Sequence, residues 1–136
     1  IAIASRYPVH AALDISDGLA IDCGRMLTAS HVGGTIELDL VPIHPDAISL
    51  SEVLHTNQIT SLEHAMQDGE DFELLLAMPA EAAQALVQDD PSSLVAKTTM
   101  QPRIIGKVTE SLDFCSTTPD GQTKRLEPKG FEHVFQ

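Results

Sequence analysis

The boundary at residues 11–18 constrains this chain more than any other stretch. Ala11-Ala12-Leu13-Asp14 is a short apolar run that gives way at once to Ile15-Ser16-Asp17-Gly18. Over residues 17–30 the apolar side chains Leu19, Cys23, Met26 and Leu27 then recur at helical spacing. A short buried strand feeding a helix through a polar turn is a building unit of layered folds that mix strands and helices. With Leu13 held in the core, Asp14 emerges at the strand end. Ser16 or Asp17 is expected to cap the helix, and Gly18 to permit a close backbone approach. Gly33-Gly34 is expected to stop the helix.

The remaining pattern fits such a domain. Residues 35–40 alternate, with Ile36, Leu38 and Leu40 on one face and Thr35, Glu37 and Asp39 on the other, which predicts a half-buried strand. Pro42 and Pro45 punctuate the next loop. A helix is expected over 46–55, with Asp46 or Ser49 near its cap, and helical character over 60–66. The apolar run 72–78 reads as a central strand, and Pro79 opens an Ala-rich helix over 80–88. Residues 88–101 read as a loop and 103–109 as a strand. Residues 114–116 and 124–126 form a hairpin around Pro119-Asp120-Gly121. The fold class is therefore α/β (mixed α+β), a layered domain with a mixed sheet packed against helices. The 136 residues suit one domain, residues 1–136, with a core that needs no staples. The first residue is Ile1 rather than Met, which suggests part of a longer chain.

Charge narrows the function. Eight Lys and Arg stand against twenty Asp and Glu, for a net charge of −12. Such a surface repels polyphosphate, so nucleic-acid binding through a basic face is excluded. An acidic surface can still meet phosphate through Mg²⁺. Cys23 and Cys115 lie far apart and form no disulfide framework or zinc pattern, which fits a reduced cytosolic setting. No apolar stretch is long enough for a membrane span, and a signal peptide is not expected. No Walker A loop, G-x-G-x-x-G, G-x-S-x-G or H-E-x-x-H is present, and most of the six histidines are expected at the surface.

Three clusters carry chemistry. Asp14-Ile15-Ser16-Asp17-Gly18 places two carboxylates and a hydroxyl at a strand-to-helix turn. Helix N-termini offer free N–H groups to phosphate, and hard carboxylate oxygens suit Mg²⁺. The competing reading is a plain helix cap with Asp14 solvated. An EF-hand is excluded, because its loop places glycine at the sixth position and Gly18 is fifth from Asp14. Asp68-Gly69-Glu70-Asp71-Phe72-Glu73 crowds four carboxylates against an apolar strand. That arrangement is costly unless cations or donors offset it, the alternative being a solvated acidic turn. Lys129-Gly130-Phe131-Glu132-His133-Val134-Phe135 holds two of the four Phe residues, able to stack on a flat ligand or to plug the core.

Taken together and in order, D-I-S-D-G-L-A-x-D at 14–22, G-E-D-F-E-L at 69–74 and G-F-E-H at 130–133 resemble the C-terminal domain of thiamine-monophosphate kinase. Residues 29–45 and 104–110 share the likeness, which covers nearly the whole chain and places it in the aminoimidazole-ribotide synthetase-like superfamily. The resemblance implies the C-terminal half of a two-domain, homodimeric cytoplasmic enzyme. Its N-terminal domain would carry most of the ATP and metal sites, and this half alone would be inactive. It implies direct transfer of the γ-phosphoryl of ATP to thiamine monophosphate, with Mg²⁺ and no P-loop. By motif match Asp14 and Asp17 ligate Mg²⁺, Ser16 contacts ATP, Glu70 contacts the thiamine moiety and Phe131 stacks against it. Asp22 is assigned a structural role.

The chain departs from the family at Asp68 and Phe72, where Gly and Tyr are usual. It departs again at Gly130-Phe131-Glu132-His133-Val134, where Gly-Tyr-Asp-His-Phe is usual. These changes bear on the phosphate acceptor. Another ATP-dependent synthetase or kinase on the same fold, or a non-catalytic binding module, are the alternatives.

Overall fold

The helical stripe read from the sequence is the centre of the fold. In α1 (Leu19–Ala29) the residues Leu19, Ala20, Cys23 and Leu27 are buried, and the helix packs against β1, β2 and α3. The computed structural model describes residues 3–53, 59–69, 73–90 and 101–127. β1 (Ala11–Ile15) pairs antiparallel with β3 (Glu73–Ala77), setting Asp14 opposite Leu74 and Ile15 opposite Glu73. A second sheet has the order β4 (Gly106–Thr109), β2 (Gly33–Glu37), β5 (Phe114–Thr117), β6 (Thr123–Arg125). Its β2–β5 pair is parallel and its other pairs are antiparallel, so this sheet is mixed. The other helices are α2 (Pro45–Val53), α3 (Ser61–Gln67) and α4 (Ala80–Gln88).

One core joins both sheets. Ile15, the α1 stripe, Ile36, Val41, Met66, Leu75 and Phe114 form a single buried cluster. Each Ile, Leu, Val, Met or Phe side chain among them contributes roughly 1.5–3 kcal/mol on leaving water. Burial pushes the Cys23 thiol up to about 11, so this cysteine serves packing and not nucleophilic chemistry. The hairpin expected around Pro119 is present. Its turn closes with Gly121 N–H on the Thr118 carbonyl at 2.8 Å, and Gly121 takes φ 82°.

Several expectations are corrected. Gly33-Gly34 does not stop α1 but opens β2. The helix ends earlier through two hydrogen bonds, His31 N–H to the Thr28 carbonyl and Val32 N–H to the Leu27 carbonyl, both at 3.1 Å, with His31 left-handed at φ 54°. This is a Schellman ending, and it hands the chain to β2 two residues sooner than the alternation implied. β2 then ends at Glu37, where Leu40 N–H turns back to the Glu37 carbonyl and leaves Leu40 exposed. The strand at 72–78 is not central. Among the described residues β3 has only β1 as a partner, and Leu74 is 51% exposed. β1 is only half buried, for Ala12 and Asp14 face outward. β4 begins at Gly106, the preceding residues being irregular although the Ile105 carbonyl still accepts from Glu37 N–H. α2 begins at Pro45. Asp46 lies in its first turn, near the cap as expected, and donates its N–H to His44 Nδ1, while Ser49 bonds back to the Pro45 carbonyl.

A non-glycine residue held left-handed costs on the order of 1 kcal/mol. His31→Gly is therefore expected to raise stability by about 0.5–1 kcal/mol in urea unfolding. An unchanged or lower midpoint would show that the histidine ring makes up for its backbone.

Candidate functional site

The turn between β1 and α1 is built from inside. Asp22, on the first turn of α1, is 2% exposed. Its Oδ2 accepts Ser16 N–H at 2.9 Å and Asp17 N–H at 2.8 Å. Its Oδ1 accepts Arg25 Nη1 at 3.0 Å. The same Nη1 also pairs with Asp17 Oδ2, which closes a ring through the turn, the helix and back. The expected helix cap is thus inverted. The N-cap of α1 is Gly18, with φ 110° and no side-chain cap, and a helix carboxylate holds the turn instead. The structural role expected of Asp22 is observed.

Burial works against ionisation of Asp22. The N–H groups of Asp17 and Ser16 and the Arg25 guanidinium outweigh it, holding the carboxyl below its usual range. The ring leaves functional groups free. Asp14 is exposed, and no described residue donates to its carboxylate. The Ser16 side chain is exposed, and its hydroxyl has no partner among the described residues. With no side-chain cap at Gly18, the leading N–H groups of α1 are matched by no side chain among the described residues.

Two glycines bring the second acidic motif to this turn. A Cβ at Gly18 would lie 2.8 Å from the Gln67 carbonyl oxygen, and one at Gly69 would lie 2.5 Å from the Ser16 carbonyl oxygen. No side chain larger than hydrogen fits between these backbones, and φ 110° at Gly18 is itself disfavoured for other residues. The β1–β3 register completes the junction by placing Glu73 beside Ile15. The start of the Asp68-Gly69 motif is therefore packed on the Ser16–Gly18 turn. Asp68 is bound by His64, whose Nδ1 lies 2.9 Å from Asp68 Oδ2, and the box formed by Thr60 and Glu63 caps the same helix. His64 is 8% exposed, an exception to the surface placement expected of most histidines.

Asp14, Ser16 and Asp17 are thus gathered on one turn, while Glu70, Asp71, Phe72 and Phe131 lie outside the described residues. Among the described residues no three His, Cys, Asp or Glu side chains are grouped to hold a metal ion. The donors present fit an oxygen-seeking cation such as Mg²⁺, since Asp14 is an acceptor without a described donor. Arg25 and the His64–Asp68 pair escaped the sequence reading. Arg25 carried one visible signal, its place three residues after Asp22 on a helix face.

Asp22→Ala leaves the Ser16 and Asp17 N–H groups without an acceptor and is expected to cost about 2–4 kcal/mol in denaturant unfolding. The pH dependence has a definite sign. A carboxyl depressed in the folded state adds stability that is full above the unfolded value of about 3.9 and is lost as the pH falls through the lower folded value. Asp22→Asn should therefore lose less stability than wild type when both are acidified from pH 6 to pH 2. Parallel acid profiles would show that the carboxylate charge is not what holds the turn.

Residues 1–114 match the family described as AIR synthase related protein, C-terminal domain. The chain is 36% identical over 125 residues to the thiamine-monophosphate kinase of Rhodopirellula baltica, which covers 92% of this chain and 36% of that protein. It is 31% identical over 130 residues to the thiamine-monophosphate kinase of Escherichia coli K12, covering 96% of this chain and 37% of that one. The solved structure of AaThiL complexed with AMPPCP and TMP superposes with a TM-score of 0.68 at 28% identity, covering 95% of this chain and 35% of that chain. The chain thus spans little more than a third of the length of the relatives it matches. No described helix is long and apolar enough to cross a membrane.

Proposed function

The chain belongs to the AIR synthase related protein family as its C-terminal domain, and on that premise we propose that it is the C-terminal half of a thiamine-monophosphate kinase. The reading is an ATP-dependent enzyme that phosphorylates thiamine monophosphate to thiamine diphosphate by direct transfer. The observation that carries it is the meeting of two acidic motifs, Gly18 against Gln67 and Gly69 against Ser16. Two like-charged segments are held together there without mutual ion pairing, an arrangement whose cost is offset when a cation is shared.

Asp14 and Asp17 are the residues proposed to hold Mg²⁺. When bound, that ion would neutralise charge on the transferring phosphoryl group. Ser16 would offer its hydroxyl to ATP, beside helix N–H groups of α1 that favour phosphate. Glu70 and Phe131 are proposed to take the thiamine moiety. Asp68, where the family has Gly, has one carboxylate oxygen engaged with His64 within this chain. The remaining ligands of the cation are assigned to substrate phosphates, water and an N-terminal domain, with a homodimeric full-length protein working in the cytoplasm. This half alone would not turn over.

The test uses the full-length protein with Mg²⁺, ATP and thiamine monophosphate, with thiamine diphosphate read by chromatography. Wild type is expected to form product and Asp14→Asn to lose roughly 10²–10³-fold in kcat, the scale of removing one group that stabilises transition-state charge. Equal activity would remove Asp14 from the site. No product from folded wild type would favour another phosphate acceptor.

A further inference from the structure

Asp17 is offered to a cation while already holding one. Its carboxylate pairs with Arg25 Nη1, and that nitrogen is also 3.0 Å from Asp22 Oδ1. The two carboxylates differ in freedom. The Asp22 side chain is 3% exposed and fixed by two backbone N–H groups, whereas that of Asp17 is 35% exposed and that of Arg25 is 55% exposed. A guanidinium drawn off Asp17 would keep its Asp22 bond, and its planar fork has donors to spare. No buried charge would be orphaned by the movement.

We propose that Arg25 is a built-in counter-ion of Asp17, and that divalent-cation binding at this turn is an exchange in which the guanidinium leaves Asp17 while remaining on Asp22. This rests on the reading that Asp14 and Asp17 hold the cation. Arg25 is a positioning residue in this account and touches no substrate. In the cation-free protein it fixes the direction of the Asp17 side chain and relieves repulsion in a chain of net charge −12. Its charge then opposes the incoming ion, which raises the cation concentration the site needs.

The probe is Mn²⁺ alone, an oxygen-binding stand-in for Mg²⁺, titrated calorimetrically into full-length protein without nucleotide. Arg25→Gln is expected to bind about tenfold tighter than wild type, the scale of one unit charge against a divalent ion in a largely aqueous setting. Arg25→Lys keeps the charge and is expected to stay within about threefold of wild type. Asp14→Asn is expected to bind at least about tenfold more weakly, which tests the metal reading separately. Arg25→Gln equal to or weaker than wild type, with Asp14→Asn weakened, would overturn the exchange and leave the metal reading standing. Asp14→Asn equal to wild type would overturn both.

A second measurement needs no variant. The Arg25 guanidinium resonances of wild type, followed by NMR, are expected to shift as Mg²⁺ is raised to saturation. Resonances unmoved at saturation would overturn the exchange.

Discussion

Asp22 accepts two backbone N–H groups with one oxygen and a guanidinium with the other. The rest of the site depends on that arrangement. A strand leaving β1 must turn sharply to enter α1, and its peptide groups would be poorly paired without an acceptor beneath them. The Asp22 carboxylate supplies it from the helix side, where burial strengthens every hydrogen bond it receives. Because the acceptor comes from the helix, the Ser16 hydroxyl is not used up in capping, and Asp17 is turned to Arg25 instead.

The second constraint is distance. Hydrogen in place of a side chain at Gly18 and Gly69 lets two backbones approach to where a Cβ would collide with carbonyl oxygen. The β1–β3 ladder fixes the register of that meeting. The segments 16–18 and 67–69, far apart in the chain, thereby meet backbone to backbone. Partners come from within: His64 hydrogen-bonds Asp68, and the Arg25 guanidinium pairs with Asp17. Fold and charge are coupled here: the helices that pack on these segments also supply the donors their carboxylates meet.

Much of this was legible. The strand-to-helix boundary at 11–18 follows from apolar spacing, as do the α1 stripe and the hairpin at Pro119. The errors have physical sources. His31 ends α1 in a left-handed conformation that residue type does not announce, while the glycine doublet beside it looked like the natural stop. The run 72–78 is apolar enough for a central strand, yet Leu74 is exposed on a sheet with one partner, since apolar composition does not count neighbours. The Thr60-Ser61-Leu62-Glu63 pattern did carry a readable capping box for α3. The Arg25–Asp17 pair had no such sign. It depends on the path of the chain through Gly18 at φ 110°, which is a property of the packed turn and not of spacing. The roles of Glu70 and Phe131 rest on motif likeness alone, because both lie outside the described residues.

The Asp14–Gly18 turn keeps its shape because a buried carboxylate holds its backbone. Amide hydrogen exchange at Ser16 and Asp17, read by NMR on cation-free protein near neutral pH, tests it most directly. The account predicts that both amides are protected to a degree comparable with the amides of β1, since both are tied to the buried side of α1. Exchange of either at the rate of a free peptide would contradict it, for the turn would then be open and the carboxylates it carries would not be held ready for a cation.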